Sequence, residues 1–381
     1  MQAVQYLQTR IVPVPRPVKL PSVSSSSLNP PMVADHSIRA LRHSQSAGDR
    51  HEHLLDKMQK RFIMVEGARS GQQVGARPVV GAAGRGARSE QRNMKRVDIT
   101  VLVEDTVHEA RLRAEHGLSL YIDTGDFRIL FDTGASALFL GNAKILGLRL
   151  NDLDALVLSH NHYDHTGGVE FLIDLYSGAP PIFAHPKTFS QSYAKPKAGR
   201  ETPPVGARTI GFPYPLGLAG LRKRGIKLTI NQEPLEIHRD IWLSGEISRN
   251  CPFEDVGESF FQDPQLSRAD DLLDDQSLIC KTDKGLIVIS GCCHSGIVNT
   301  MKAVGSLFPR IPVWAVVGGF HLLHADARRI KRSVDYLKSL EPQQVIAGHC
   351  TGFDALCSLR RAFGKRFRRL SVGDRFSLPG A

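Results

Sequence analysis

The 381-residue sequence has no run of about 18 consecutive apolar residues, which is the length that a membrane-spanning helix needs. It also lacks a framework of paired cysteines, because its six cysteines all lie beyond residue 250 and form no C-x-x-C pair. These absences predict a soluble protein of a reducing compartment. We therefore expect it in the cytoplasm.

The basic net charge of +11 lies almost wholly in the N-terminal quarter of the sequence. Residues 1–96 carry 16 Lys and Arg against 6 Asp and Glu, whereas the remaining residues carry 33 against 32. Binding to nucleic acid needs an excess of basic side chains, and the body of this chain has almost none. We therefore expect neither nucleic acid nor a membrane to be a partner of the folded domain.

The first 93 residues have the composition of a disordered, basic extension. They begin with a proline-rich stretch, contain the serine run Ser24–Ser27 and end in a Gly- and Arg-rich segment without periodicity. Because no Asp or Glu precedes Asp35, an organellar transit peptide is one interpretation. An extension upstream of a translation start at Met94 is the alternative, and the sequence does not decide between them.

From Val97 onward, short β-branched runs alternate with helical patterns. The runs VDITVLV, LSLYID and RILFD predict a meander of strands, with a turn at Thr124-Gly125-Asp126. Apolar spacing over residues 325–340 predicts an amphipathic helix. Strand runs with intervening helices predict an α/β fold in which two packed sheets are covered by helices outside. We expect one αββα domain over residues 94–381.

The densest group of candidate metal ligands follows one apolar strand, in the segment LDALVLSHNHYDHTGG. It contains His160, His162, Asp164 and His165 within six residues. Imidazole nitrogen and carboxylate oxygen are preferred ligands of zinc and similar divalent ions. A loop at the end of a strand can direct alternate side chains into one pocket. The segment therefore predicts a metal site that holds two ions.

Further ligands must come from elsewhere in the chain, since four donors do not complete two sites. His294, His321 and His349 each follow an apolar strand at a Gly-rich corner, in GCCHSG, GGFHL and GHCTG. Strand ends that converge on one site would bring the three together. Each of them alone is equally consistent with a structural histidine.

Two further residues are candidates to stand behind the ligands and orient them. Asp132, in ILFDTG, follows a strand as the histidines do. Its alternative role is to cap the Thr-Gly turn. Cys292 stands two residues before His294 and could contribute a thiolate, although a small buried filler residue is the simpler interpretation.

These motifs together resemble one family. The segments SHNHYDHTGG, AEHGLS, LFDTG, GEISR, GCCHSGIVN, GGFHL and HCTG are similar to those of the metallo-β-lactamase superfamily and, within it, of the dihydropterin-methyl-(ribofuranosyl)aminobenzene-5'-phosphate synthase group. The resemblance covers about Val97 to Arg369. It implies a metallo-β-lactamase sandwich and a transferase that joins a dihydropterin methyl diphosphate to ribofuranosylaminobenzene 5'-phosphate, in methanopterin-type biosynthesis.

The resemblance also implies roles for the candidate residues. His160, His162 and His294 would bind one ion, and the second would be bound by Asp164, His165 and His349. Asp164 would also be catalytic, and His321 would contact substrate or transfer a proton. The corner that commonly carries a bridging carboxylate in the wider superfamily reads Ser290-Gly291-Cys292 here. The expected cofactor is a pair of divalent ions, with zinc first and manganese, iron or magnesium as alternatives.

A phosphorylated or pterin-like small molecule is the expected substrate. Arg249, in GEISR, is a candidate to bind a phosphate, and Glu246 is a candidate to hydrogen-bond a pterin edge. An ordinary ion pair within a loop is the alternative for each.

Two other functions stay open. One is metal-dependent hydrolysis of a phosphoester or other ester, and the other is a catalytically silent binding module. The acidic run from Asp270 to Asp275 predicts a solvated loop.

Overall fold

The computed structural model describes residues 94–175, 179–195, 206–213 and 217–379. The predictions for the extension of residues 1–93 lie outside this part of the chain. Two seven-stranded sheets pack against each other, and helices cover the outer face of each sheet. The predicted αββα sandwich is therefore confirmed.

The first sheet is antiparallel over one half and parallel over the other. Its strand order is β17-β1-β2-β3-β4-β5-β8, and the pairs from β17 to β3 are antiparallel. The pairs from β3 to β8 are parallel. The strands are β1 (Arg96–Val103), β2 (Ser119–Asp123), β3 (Arg128–Phe131), β4 (Ala155–Val157), β5 (Ile182–Ala184), β8 (Leu228–Ile230) and β17 (Arg375–Pro379).

The second sheet repeats this mixed pattern. Its order is β16-β15-β14-β13-β12-β10-β9, with parallel pairs from β16 to β13 and antiparallel pairs from β13 to β9. The strands are β9 (Leu235–His238), β10 (Ile241–Leu243), β12 (Ser277–Thr282), β13 (Gly285–Ser290), β14 (Val313–Gly319), β15 (Gln344–Gly348) and β16 (Phe367–Arg369). A small third sheet contains β6 (Tyr193–Ala194), β7 (Arg208–Thr209) and β11 (Phe260–Phe261).

Seven α-helices are assigned in the described part of the chain, and the longer ones cover the sheets. The helix α6 (Ala327–Ser339) shows why the sequence folds this way. Asp326 caps its first turn by accepting a hydrogen bond from the Arg329 backbone N–H at 2.7 Å, and Ile330, Val334 and Leu337 form its buried stripe. The helices are α1 (Leu138–Ile145), α2 (Tyr163–Thr166), α3 (Val169–Leu175), α4 (Gly217–Lys223), α5 (Ile297–Leu307), α6 (Ala327–Ser339) and α7 (Phe353–Phe363).

The central strand β13 has apolar side chains on both of its faces, because the sheet is covered on both sides. Ile287 and Ile289 pack between the two sheets, whereas Leu286 and Val288 pack under the outer helices. This alternation with a period of two is the geometry of a strand. A continuous apolar run is therefore what this position of the sheet requires.

Both sheets deliver their functional residues at the carboxyl ends of strands. Strands β1, β3 and β4 of the first sheet run in the same direction, as do β13, β14 and β15 of the second. The loops that follow β3, β4, β13, β14 and β15 carry Asp132, the segment from His160 to His165, Cys292 with His294, His321, and His349. No helix within the described residues is long and apolar enough to cross a membrane.

Phe131 tests the importance of packing between the sheets. Its side chain is fully buried in that interface. We expect Phe131→Ala to lower the free energy of unfolding by about 3–5 kcal/mol, measured by chemical denaturation. The matched control is Phe171→Ala, at a ring that is 43% exposed, which should cost about 1 kcal/mol or less. Equal losses in the two variants would contradict the described core.

Candidate metal centre

Three buried histidines form the first group of candidate ligands. His160 and His162 come from the loop after β4, and His294 comes from the loop after β13. Their ring centroids lie 4.7–4.8 Å from one another. All three Nε2 atoms are buried and have no hydrogen-bond partner among the described residues. Unsatisfied buried nitrogens are costly, so three of them on neighbouring rings fit a bound cation.

Burial keeps these three rings neutral. It lowers the pKa of His160 and His294 well below the usual value, and it lowers the pKa of His162 to about 3. The Nδ1 atom of His294 faces the Val256 carbonyl at 3.2 Å, so it carries the proton and leaves the lone pair on Nε2. A neutral imidazole with a free lone pair is the form that binds a metal ion.

The second group contains Asp164, His165, Cys292 and His349, all buried. The Nε2 atoms of His165 and His349 are 3.2 Å apart, and the Cys292 Sγ lies 3.2 Å from each of them. An Asp164 carboxylate oxygen is 3.7 Å from His165 Nε2 and 3.5 Å from His349 Nε2. Four donor atoms therefore surround one small space.

Two carboxylates orient the histidines of this group. Asp132 accepts a hydrogen bond from His165 Nδ1 at 2.7 Å, and Asp105 accepts one from His349 Nδ1 at 2.8 Å. A ring whose Nδ1 donates to a carboxylate carries its lone pair on Nε2, as metal-binding histidines do. Burial lowers the pKa of His349, but its neighbours Cys350, Asp105 and Asp164 outweigh burial and raise that pKa well above its usual value. The surroundings therefore favour a positive charge at this point.

Asp132 links the two groups, as an orienting residue would. Its carboxylate also accepts hydrogen bonds from the Ser159 backbone N–H at 2.8 Å and from the Ser159 hydroxyl at 2.7 Å. That hydroxyl lies 2.9 Å from His160 Nδ1. The contact depends on Gly291, because a Cβ there would lie 2.1 Å from the Ser159 oxygen. Only glycine lets the loop after β13 approach this closely.

Asp105 and His116 join the site, although the sequence analysis did not select them. One oxygen of Asp105 binds His349, and the other lies 3.0 Å from His116 Nδ1. His116 Nε2 faces the Asp164 carboxylate at 3.4 Å. The available signal was that His116 lies in the AEHGLS segment on which the family resemblance partly rests. Asp105 follows β1 with no motif to mark it.

A cleft opens onto both groups of ligands. His321, the remaining histidine candidate, lines it and lies with its ring centroid 4.1 Å from that of His294. Its Nδ1 is buried without a hydrogen-bond partner among the described residues. Arg208 and Tyr163 also line the cleft, and Phe260 packs beside His162.

The structure does not bring Glu246 and Arg249 to this cleft. Glu246 lies 2.9 Å from His185 Nε2, and Arg249 donates a hydrogen bond to the Leu272 carbonyl at 2.8 Å. Neither side chain is among the residues that line the cleft. Both therefore take part in local contacts outside the lining of the cleft.

The acidic run after Arg268 is not the solvated loop that its composition predicts. Asp274 and Asp275 are each only 2% exposed, whereas Asp271 is exposed. Asp275 accepts a hydrogen bond from the Ser295 backbone N–H at 2.8 Å, next to His294. Burial and the nearby Asp270 raise the pKa of Asp274 to about 7. The tertiary fold, rather than local polarity, determines where these carboxyls lie.

The low pKa of His162 makes the metal-free protein sensitive to acid. Between about pH 6.5 and pH 3 the unfolded chain binds a proton at this ring and the folded chain does not. Stability therefore falls as pH falls through this window, by about 1.4 kcal/mol per pH unit from this side chain. We expect His162→Gln to remove that contribution in urea denaturation of chelator-treated protein. His238→Gln, outside the cluster, is the control, and an unchanged slope in His162→Gln would contradict a buried neutral ring.

Comparison with known proteins agrees with this architecture. The metallo-β-lactamase superfamily profile matches residues 112–213. A crystal structure of a metal-dependent hydrolase of the β-lactamase superfamily has a TM-score of 0.62 and 29% identity, and the match covers 74% of this chain and 99% of that one. The prediction of a metal-dependent enzyme of this fold is confirmed at that level.

Two proteins of Methanocaldococcus jannaschii extend the comparison. One is 7,8-dihydropterin-6-methyl-4-(β-D-ribofuranosyl)-aminobenzene-5'-phosphate synthase, which is 34% identical over 294 residues, covering 74% of this chain and 97% of the synthase. The other is an uncharacterised protein that is 34% identical over 263 residues, covering 68% and 93%. The chain therefore belongs to the metallo-β-lactamase superfamily and, within it, to the family of the dihydropterin-aminobenzene phosphate synthase.

Proposed function

We propose that the protein is a two-metal transferase that joins a dihydropterin methyl diphosphate to an arylamine carrying a ribose phosphate, with release of pyrophosphate. The main support for this proposal is that two groups of buried candidate ligands lie side by side. The chain also matches 97% of the length of a synthase of this kind. The catalytic domain in this proposal begins at Met94.

The ligands divide between two ions according to their positions. In the proposal, His160, His162 and His294 bind the first ion, since their rings are neighbours and their three buried Nε2 atoms have no hydrogen-bond partner among the described residues. The second ion is bound by Asp164, His165 and His349, whose donor atoms lie within 3.2–3.7 Å of one another. Zinc is the expected ion, because buried neutral imidazoles with one carboxylate suit it.

The bound ions would neutralise the negative charge that develops on the diphosphate as it leaves. The chain's own residues position the reactants. Arg208, exposed at the mouth of the cleft, offers a guanidinium to a substrate phosphate. His321, whose Nδ1 has no hydrogen-bond partner among the described residues and whose ring lies beside that of His294, accepts the proton that the arylamine loses. Asp105 and Asp132 keep the histidine rings in place.

Hydrolysis of a phosphoester or other ester is the second candidate function. The observation that favours it is the similarity to a crystal structure named as a metal-dependent hydrolase, at 29% identity. Both reactions need the same ion pair, so ligand geometry does not separate them. The two reactions can be separated by testing whether turnover depends on the acceptor, because only the transferase consumes the arylamine.

Metal content tests the ligand assignment directly. We expect full-length protein purified without chelator to carry two divalent ions per chain, measured by inductively coupled plasma mass spectrometry. His162→Ala and His349→Ala should each lose about one ion, because each removes a ligand of a different ion. His238→Ala, at a partly exposed histidine outside the cluster, should keep both. A wild-type protein that is folded and free of metal would contradict the proposal.

Product analysis tests the reaction. We expect full-length protein with zinc to convert a dihydropterin methyl diphosphate and the arylamine into a coupled adduct and pyrophosphate, detected by mass spectrometry. Activity should fall by at least about 100-fold in His162→Ala and stay near wild type in His238→Ala. The pterin alcohol formed at the same rate with and without acceptor would instead establish a hydrolase.

A further inference from the structure

We infer that Cys292 is a metal ligand and that its sulfur is shared between the two ions of the proposed centre. The inference rests on the proposed two-ion centre. It also selects the metal, since a thiolate favours zinc, cobalt or ferrous iron over magnesium and manganese. In this inference Cys292 binds the ions directly, whereas the sequence suggested that it orients other ligands.

The distances around the second ion match a four-coordinate site that includes sulfur. A tetrahedral zinc ion lies about 2.0–2.1 Å from nitrogen and about 2.3 Å from sulfur, so neighbouring ligand atoms are roughly 3.3–3.6 Å apart. The Cys292 Sγ lies 3.2 Å from both His165 Nε2 and His349 Nε2. Those two nitrogens are 3.2 Å apart, and the Asp164 oxygen is 3.5 and 3.7 Å from them. These spacings are close to the edges of such a tetrahedron.

The same sulfur also lies beside two members of the first group. Its donor atom and those of His160 and His294 all lie within 4.8 Å of one another. Among the described residues, Cys292 is the member that the His160–His294 group shares with the Asp164–His165–His349 group. A ligand atom common to two neighbouring metal sites is in the position of a bridge.

Comparison with its neighbour Cys293 argues against a filler role for Cys292. Cys293 faces Thr300 at 3.2 Å and packs in the apolar cluster under the outer helices. Cys292 is equally buried, but its sulfur contacts imidazole nitrogens. When an ion binds, the S–H bond breaks, the proton leaves to solvent and the sulfur electron pair forms the bond to the metal.

Cobalt substitution tests the inference with a spectroscopic signal. Full-length protein is stripped with chelator and titrated with Co²⁺, and metal content is measured alongside near-ultraviolet absorption, where thiolate-to-cobalt charge transfer appears. We expect the band to grow over the first and the second equivalent. Cys292→Ser should lose the band, whereas Cys293→Ser should keep it. We also expect Cys292→Ser to bind Co²⁺ at least about 10-fold more weakly.

A second variant guards against loss of folding. Cys292→Asp replaces the thiol with a carboxylate, and this variant should bind two cobalt ions without the band. Two outcomes would contradict a Cys292 thiolate ligand but not the proposed metal centre. One is a wild-type protein that binds two cobalt ions without the band, and the other is a band that persists in Cys292→Ser. A band complete after one equivalent would overturn the bridge. Absence of cobalt binding in wild-type protein would overturn the proposed centre itself.

Discussion

His165 and His349 present their Nε2 atoms to each other at 3.2 Å, and carboxylates hold the opposite nitrogen of each ring. Two lone pairs at that distance repel unless a positive charge lies between them. Placing a charge inside a protein is costly unless partners surround it, and here Asp164 and Cys292 complete the surroundings. Much of the architecture around this point serves to hold these donors in position.

The sandwich supplies that support by bringing strand ends together. One sheet contributes the loops after β1, β3 and β4, and the other contributes those after β13, β14 and β15. Each strand is anchored by apolar side chains between the sheets, so its end is held firmly although the loop beyond it is polar. Rigid strands beneath short loops give ligands the fixed geometry that a metal site needs.

The chain belongs to a synthase family and is also similar to a hydrolase. The two findings are compatible, because a pair of metal ions can serve either reaction. In the proposed transferase, the groups at the mouth of the cleft would distinguish the two reactions, because they would bind the substrate. Arg208 offers a positive charge there, and His321 offers a nitrogen that no described residue binds. A sulfur in place of a carboxylate would in turn affect which ion the site retains.

The sequence by itself determined the sandwich, because the periods of apolar residues are set locally by strand and helix geometry. The amphipathic helix predicted over residues 325–340 forms as α6 (Ala327–Ser339). The strand β17 was missed, because it is a short edge strand that gains its partner β1 only through the fold. The loop of His160 to His165 was evident because its ligands are adjacent in sequence. The contacts of Asp105 and Cys292 with His349, and the separation of Glu246 from the cleft, were decided by the tertiary structure alone. These contacts depend on which strand ends come together in the fold. The local sequence around a residue does not indicate which distant residue it will contact.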